Sequence, residues 1–310
     1  MKDFLDFVKA RPQLKIKIVL AFLFLSLLPG RNYYYSLDLN SHQPLVRSIN
    51  QPLDSPSQYP VNFTGVPAPN LTARSAIIVD VDSKTILFNK NPDLKLLPAS
   101  TTKIMTGLIV IENYDLDDIV TITSVSGTGQ KMDLEIGERI TVESLLYGLL
   151  VQSGNDAATA LAQFHPGGQD AFIALMNQKL KDLNLHDTQF TNAAGLDAYG
   201  HYTTVHDLSL LAAAAMKNPQ FKKIVSTQGI TVSDVDQTIF HQLEAINELL
   251  GQIRGLAGIK TGWTELAGEC LVTYIKRGDK QIITVVLGSQ DRFGETQQLI
   301  DWAFTNHQWK

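Results

Sequence analysis

Short runs of β-branched and other apolar residues predict strands near both ends of the body of the chain, and longer runs with helical spacing predict helices between them. The predicted strands are 75–88 (two strands joined by Asp82-Ser83-Lys84), 119–125, 136–140, 271–275 and 281–287. The predicted helices are 100–113, 142–164, 169–183, 204–216 and 295–304. Strands from distant segments must then share one sheet, so we expect an α+β fold with a helical lobe inserted.

The first 30 residues carry a different pattern, with five basic and two acidic side chains before an uncharged apolar run at 18–28. A basic segment followed by such a run is typical of a secretory signal, although no small-x-small cleavage site follows. The run is also shorter than the roughly 20 apolar residues of a simple membrane span. We therefore predict that 1–30 is a signal peptide or an N-terminal membrane anchor, with a buried helix of a soluble protein as the remaining alternative.

Both main interpretations place the body of the protein outside the cytoplasm, in the periplasm or on the outer face of the cytoplasmic membrane. It would be secreted, or attached to the membrane through the N-terminal segment. Residues 31–70 are predicted to be a Pro-rich linker, because half of the 12 prolines lie between residues 44 and 69. Within it, Tyr33–Tyr35 and Phe63 are apolar enough to pack on the body. The predicted domain is 71–310.

Composition, charge and missing motifs argue against several classes of function. The chain has 310 residues and a net charge of −5, and it lacks a Lys/Arg tract, which argues against nucleic-acid binding. Its one cysteine, Cys270, forms neither an internal disulfide nor a zinc–thiolate site, and it suits an oxidising compartment only if it is buried. The sequence has no His-Glu-x-x-His, Gly-x-Ser-x-Gly, P-loop or dinucleotide-binding glycine motif.

One Ser-x-x-Lys occurs, Ser100-Thr-Thr-Lys103, after Leu97-Pro98-Ala99. On a helix this spacing puts both side chains on one face, with Cβ atoms about 5–6 Å apart. A desolvated lysine loses its proton more easily and is able to act as a base toward the serine. The alternative is an ordinary helix start with a solvated lysine.

Two further elements follow. Ser153-Gly-Asn155 is a polar turn between apolar helical stretches, where a hydroxyl and a carboxamide are able to face one cleft; a helix break with an Asn cap is the alternative. Lys260-Thr261-Gly262 precedes a strand, and on an edge strand Lys260 and Gly262 face the same side. The glycine permits close approach of a ligand backbone and the lysine supplies a positive charge; the alternative is a surface strand.

The three elements in this order correspond to the pattern of penicillin-binding proteins and class A β-lactamases, with Ser-Gly-Asn in the middle. The segment 98–106 (PASTTKIMT) resembles the active-site segment of serine-type D-Ala-D-Ala carboxypeptidases, the low-molecular-mass penicillin-binding proteins. The resemblance extends over roughly 73–305. It implies the penicillin-binding/β-lactamase-like transpeptidase fold, with an antiparallel sheet flanked by helices and a helical lobe.

The resemblance also implies the roles of individual residues. Ser100 is expected to be the acylated nucleophile, Lys103 its general base, and Ser153 a proton relay together with Lys260. The expected substrate-binding residues are Asn155, Lys260, Thr261, Gly262 and Trp263, with the backbone N–H groups of Ser100 and Trp263 forming an oxyanion hole. No metal or cofactor is implied. Arg292 is either a carboxylate-binding arginine or a solvated residue at a helix start.

The implied reaction removes the terminal D-Ala from a peptidoglycan stem peptide ending in D-Ala-D-Ala, through an acyl-enzyme, and β-lactam antibiotics are expected to acylate the same serine. Three alternatives stay open: a muropeptide endopeptidase, a β-lactamase, and a non-catalytic penicillin-binding sensor. The β-lactamase alternative is disfavoured because Asp187 and Asp197 are the only acids between Asn184 and Tyr202, and no glutamate is present there to activate a deacylating water.

Overall fold

The computed structural model describes residues 12–26, 58–125 and 128–310. The helices are α1 (Pro12–Ser26), α2 (Lys103–Asn113), α3 (Val142–Leu150), α4 (Asn155–Phe164), α5 (Gly168–Asp182), α6 (Val205–Ala215), α7 (Pro219–Val225) and α8 (Arg292–Asn306). The strands are β1 (Pro60–Asn62), β2 (Ser75–Asp80), β3 (Ile86–Lys90), β4 (Ile119–Thr121), β5 (Arg139–Thr141), β6 (Gly229–Ser233), β7 (Phe240–Glu244), β8 (Leu256–Thr264), β9 (Gly268–Arg277), β10 (Lys280–Ser289) and β11 (His307–Trp309).

The chain divides into two compact units, Met1–Ser55 and Pro56–Lys310. The first unit is described only through α1. Neither α1 nor any other helix in the described ranges has the length and apolarity that a membrane crossing requires. The rest of the predicted signal or anchor, and the predicted linker up to residue 57, lie outside the described residues.

A five-stranded antiparallel sheet in the order β3-β2-β10-β9-β8 forms the centre of the second unit. Its first two strands come from the start of the body and its last three from the end, so the predicted shared sheet is confirmed. The described residues between β3 and β8 supply the helical lobe and two small two-stranded sheets, β4–β5 and β6–β7. The α+β arrangement is therefore as predicted.

Both faces of the sheet are buried along β2, β9 and β10, which explains the nearly continuous apolar runs in the middle of these strands. On β2, Ile77 and Val79 join the core beneath the helical lobe, whereas Ala76 and Ile78 pack with α8 on the opposite face. This alternation follows from the two-residue period of a strand. Cys270 on β9 is fully buried, and burial raises the pKa of its thiol to about 11.

The predicted helix at 142–164 is two helices, α3 and α4, separated by a turn at 151–154. Ser153 in this turn has a φ of 63°, in the left-handed region that is incompatible with a continuing helix. The apolar pattern continues across the break because both helices contribute residues to the same core cluster. The break places Ser153 and Asn155 at the start of α4.

The compact body begins earlier than the predicted boundary at residue 71. Strand β1 pairs in antiparallel register with β11, and Trp302 Nε1 donates to the carbonyl oxygen of Val66 at 3.0 Å. Residues 60–66 therefore pack on the body of the chain. Sequence periodicity missed this because each paired segment is only three residues long.

Other local differences are small. The predicted strands at 119–125 and 136–140 correspond to the shorter pair β4 and β5. The hairpin β6–β7 and helix α7 were not predicted, since their mixed polar composition carries no clear period. The predicted helix at 100–113 begins as a 3-10 turn, Ala99–Thr102, before it becomes α-helical at Lys103.

Candidate active site

Ser100 lies in the 3-10 turn that leads directly into α2. Ala99 before it has a φ of 48°, a left-handed conformation that costs a residue other than glycine about 1–3 kcal/mol. Two threonine hydroxyls hold the turn: Thr101 Oγ1 donates to the carbonyl oxygen of Pro98 at 2.6 Å, and Thr102 Oγ1 to that of Ala99 at 2.9 Å. The turn thereby presents Ser100 to a cleft at the start of the helix.

Two glycines allow neighbouring backbone to approach this turn closely. A Cβ atom on Gly195 would lie 1.9 Å from the carbonyl oxygen of Ala99, and one on Gly262 would lie 3.0 Å from the backbone nitrogen of Ser100. Gly195 also has a φ of 87°, which side chains disfavour. The loop at 192–196 therefore approaches the turn of Ser100 at a distance that only glycine permits, and strand β8 approaches it nearly as closely.

Lys103 is completely buried and its ammonium nitrogen has three partners. Nζ lies 2.9 Å from Ser100 Oγ, 2.7 Å from Asn155 Oδ1 and 2.7 Å from the carbonyl oxygen of Ala194. Burial, followed by repulsion from Lys260, holds the pKa of Lys103 well below its usual value, while Asp156 acts in the opposite direction.

These partners determine where a neutral Lys103 amine directs its lone pair. The oxygens of Asn155 and Ala194 only accept hydrogen bonds, so they take both N–H groups of the amine. The lone pair is then left for the third partner, the Ser100 hydroxyl, which is able to donate its proton.

Lys260 lies on the edge strand β8 and is 2% exposed. Its Nζ donates to the carbonyl oxygen of Thr261 at 3.1 Å. Burial and, second, the charge of Arg292 lower the pKa of Lys260 to about 7. Two buried lysines near one serine thus favour at least one neutral amine at neutral pH.

The turn between α3 and α4 brings both Ser153 and Asn155 to the cleft. Asn155 Oδ1 accepts from Lys103 and its Nδ2 donates to the carbonyl oxygen of Thr128 at 3.0 Å, which leaves one amide hydrogen for a ligand. Within the described ranges, the Ser153 hydroxyl makes no hydrogen bond to either lysine. The structure therefore brings Ser153 to the cleft without the predicted link to Lys260.

The cleft has a volume of about 520 Å³. Ser100, the 129–130 segment and the end of β8 all contribute to its wall. Its lining includes the predicted residues Ser100, Ser153, Asn155, Thr261, Gly262 and Trp263, together with Arg292. Trp263 is 62% exposed, at the mouth of the cleft. The eight predicted site residues are thus brought together, six in the lining and both lysines buried next to it.

The family model described as D-alanyl-D-alanine carboxypeptidase matches residues 62–291, about three quarters of the chain. The chain belongs to this family. It is 34% identical over 247 residues to the D-alanyl-D-alanine carboxypeptidase DacF of Bacillus subtilis and 36% identical over 256 residues to DacC of Escherichia coli. The matched parts are 76% and 77% of this chain but 63% of each relative, so the chain spans less than two thirds of their length.

Solved structures confirm the carboxypeptidase fold predicted from the sequence. The crystal structure of the Streptomyces K15 DD-transpeptidase is 33% identical, with a TM-score of 0.73 over 77% of this chain and all of that one. The D-alanyl-D-alanine carboxypeptidase DacD from Francisella tularensis is 30% identical, with a TM-score of 0.72 over 77% of this chain and 72% of that one. The resemblance identified from residues 98–106 is thus confirmed.

Arg292, which the sequence left between two interpretations, lines the cleft of this family member. Its Nη1 donates to the carbonyl oxygen of Gly262 at 3.1 Å, and its backbone N–H donates to Glu269 at 2.8 Å. Its Nε is buried without a hydrogen-bond partner in the described part of the chain. Arg292 is the first residue of α8, as one interpretation had it, but it is half-buried and bonded to the end of β8 rather than surrounded by solvent.

Sequence reasoning missed the contribution of His201. Its Nδ1 accepts from the backbone N–H of Thr191 at 2.9 Å, so Nε2 carries the proton and donates to Thr102 Oγ1 at 2.9 Å. Burial lowers the pKa of His201 to about 4, which keeps it neutral. His201 therefore supports the hydroxyl that holds the strained Ala99, a role that only the tertiary contact reveals.

Proposed function

We propose that the protein is a serine-type D-Ala-D-Ala carboxypeptidase that removes the terminal D-Ala from peptidoglycan stem peptides. The observation that carries the proposal is the environment of Lys103 Nζ: burial favours the neutral amine, and two carbonyl oxygens direct its lone pair at Ser100 Oγ. This geometry supplies a base within 2.9 Å of a nucleophile, the distance that general-base catalysis requires.

In the acylation step, Ser100 Oγ attacks the carbonyl carbon of the penultimate D-Ala while Lys103 takes the hydroxyl proton. The backbone N–H groups of Ser100 and Trp263 stabilise the oxyanion that forms. When the C–N bond breaks, the departing D-Ala amine receives that proton through Ser153, assisted by Lys260. Lys103 is then neutral again, takes a proton from the water that attacks the acyl carbonyl carbon, and returns it to Ser100 Oγ when the ester bond breaks.

Charge in the cleft supports a substrate with a C-terminal carboxylate. Thr261 on β8 and Arg292 at the start of α8 line the cleft, where a hydroxyl and a permanent cation are available to an anion, and Lys260 is buried beside them. Arg292 is held there by the bond from its Nη1 to the carbonyl oxygen of Gly262. The second amide hydrogen of Asn155 is then left to hold the carbonyl of the preceding peptide unit.

Penicillin, which also carries a carboxylate, is proposed to acylate Ser100 and to deacylate slowly. The two acids of the 184–202 segment already have partners: Asp187 pairs with Lys95 at 3.0 Å, and Asp197 accepts from Thr264 at 2.8 Å. Neither is supported as an activator of a deacylating water, so the β-lactamase alternative is disfavoured. Turnover of a peptide substrate distinguishes the endopeptidase and sensor alternatives from the carboxypeptidase.

We also infer that the protein acts outside the cytoplasm, where peptidoglycan lies. The basic and apolar pattern of 1–30 supports export, either as a signal peptide or as an anchor that holds the enzyme at the membrane. The division into an export segment, a Pro-rich linker and a catalytic domain stands as part of this proposal, with the domain beginning near Pro56.

Labelling with a fluorescent penicillin tests the nucleophile. Ser100→Ala is expected to abolish labelling, and Ser209→Ala, which alters a buried serine bonded to the carbonyl oxygen of His206, is expected to leave it intact. Labelling that survives Ser100→Ala would contradict the assignment. Release of D-Ala from a diacyl-D-Ala-D-Ala peptide tests the activity, and penicillin labelling without D-Ala release would favour a sensor or an endopeptidase.

A further inference from the structure

A buried acid–histidine pair lies outside the set of residues that the proposed reaction uses. His241 on β7 and Glu138 are 5% and 4% exposed, and Nε2 of the histidine is 2.8 Å from Oε1 of the glutamate. The other ring nitrogen, Nδ1, is 2.8 Å from the carbonyl oxygen of Met132. Because a carbonyl oxygen only accepts, Nδ1 carries a proton, and a second proton lies between His241 and Glu138.

Met132 belongs to a segment, Thr128–Leu134, that contributes Gly129 and Gln130 to the cleft wall. The turn that starts α4 holds this segment at four backbone atoms. Asn155 bonds to the carbonyl oxygens of Thr128 and Gln130 at 3.0 and 2.7 Å. Asp156 accepts from the N–H groups of Met132 and Leu134 at 3.1 and 3.2 Å.

Among the hydrogen bonds of the described residues, the contact from His241 is the one that ties Thr128–Leu134 to the β6–β7 hairpin. This contact is connected to the proposed base, Lys103, through Thr128 and Asn155. Met132 fixes the segment, the segment places the carbonyl oxygen of Thr128 on Asn155 Nδ2, and Asn155 Oδ1 holds Lys103 Nζ at 2.7 Å. If the segment shifts, the carboxamide that directs the lone pair of Lys103 rotates with it.

We propose that His241, paired with Glu138, is a positioning residue for acylation, which acts by fixing the cleft wall Thr128–Leu134 and through it Asn155 and Lys103. This inference rests on the proposed function, because it concerns the rate at which Ser100 is acylated. It assigns to the β6–β7 hairpin a part in the reaction although His241 and Glu138 are not in the cleft lining.

The chemistry of the pair provides a discriminating variant. Glu138 also accepts from the backbone N–H of Glu135 at 2.9 Å through Oε2. In Glu138→Gln, the amide oxygen retains that contact and the amide N–H donates to His241 Nε2, while Nδ1–H still donates to Met132. The variant removes the charge but leaves every hydrogen bond made, so it is expected to acylate within about threefold of the natural rate.

His241→Ala removes the contact to Met132 and is expected to lower the maximal acylation rate constant for penicillin by about ten- to hundredfold, with a smaller change in the concentration giving half that rate. Asp234→Ala is the matched control, since Asp234 is buried in the turn of the same hairpin and bonds to the N–H groups of Thr238 and Ile239 but not to Met132. It is expected to lower the melting temperature and retain the rate constant.

A folded His241→Ala that acylates at the natural rate would overturn the proposal, as would an equal loss of rate in Asp234→Ala. If His241→Ala does not fold, His241→Gln is compared with Glu138→Gln instead. The proposal expects His241→Gln to acylate more slowly than Glu138→Gln. Equal rates would contradict it. Absence of penicillin labelling in the unaltered protein would instead refute the proposed function itself.

Discussion

A Cβ atom on Gly195 would lie 1.9 Å from the carbonyl oxygen of Ala99, so the loop at 192–196 and the turn that presents Ser100 are in direct backbone contact. The same loop supplies the carbonyl oxygen of Ala194 that accepts from Lys103 at 2.7 Å. One close approach therefore sets both the nucleophile turn and one partner of the base.

Gly195→Ala is expected to reduce penicillin acylation by at least about a hundredfold, because the turn and the loop must separate. Gly200→Ala is the matched control: Gly200 has a similar φ of 78°, but its added Cβ would meet no atom closer than 3.8 Å. The control carries the same backbone strain of about 1–3 kcal/mol without the clash. Stopped-flow acylation of both variants checks this, and equal rates would show that backbone strain alone matters.

The lowered pKa of Lys260 predicts that the protein gains stability as the pH rises. Between about pH 7 and the ordinary lysine value of 10.5, Lys260 is neutral when folded and charged when unfolded, so the unfolded state binds more protons. The contribution is at most about 1.4 kcal/mol per pH unit. Lys260→Met is expected to flatten this rise in the free energy of unfolding, measured by urea denaturation, whereas the exposed control Lys217→Met retains it.

The lowered pKa of His201 predicts a loss of stability at acidic pH. Its pKa is about 4 when folded and near 6.5 when unfolded, so the stability that it contributes is present above pH 6.5 and is lost as the pH falls to 4. His201→Gln is expected to lose this acid dependence and to acylate more slowly, because Thr102 loses its partner. Thermal melts from pH 4 to 7 check it, with the exposed His186→Gln as control; an unchanged profile in His201→Gln would contradict the assignment.

Arg292→Gln is expected to raise the KM for a peptide ending in a free carboxylate by about tenfold, with a smaller change in kcat, because it removes a charge worth about 1.5–3 kcal/mol in a charged hydrogen bond. Arg254→Gln, an exposed arginine outside the cleft lining, is expected to leave KM unchanged. A peptide that ends in an amide provides a further comparison, because it has no carboxylate charge for Arg292 to bind. An equal rise in KM for both peptides would contradict the proposed role of Arg292.

The sequence by itself determined which three short motifs form the site, at 100–103, 153–155 and 260–262. It also determined the order of strands and helices that brings these motifs together. These are local patterns: a serine and a lysine three apart share a helix face, and apolar runs take the period of the element that buries them. Ser100 and Lys103 follow from their own segment alone.

Only the tertiary structure decided what surrounds those motifs, because the deciding contacts join residues far apart in sequence. The Lys103 amine is directed by Asn155 and Ala194, 52 and 91 positions away. His201 lies 99 positions from Thr102. Strand β1, assigned to the linker by its prolines, pairs with the last residues of the chain because its exposed edge finds a partner there. Periodicity records which face of a segment is buried, but not which distant atom completes its hydrogen bonds.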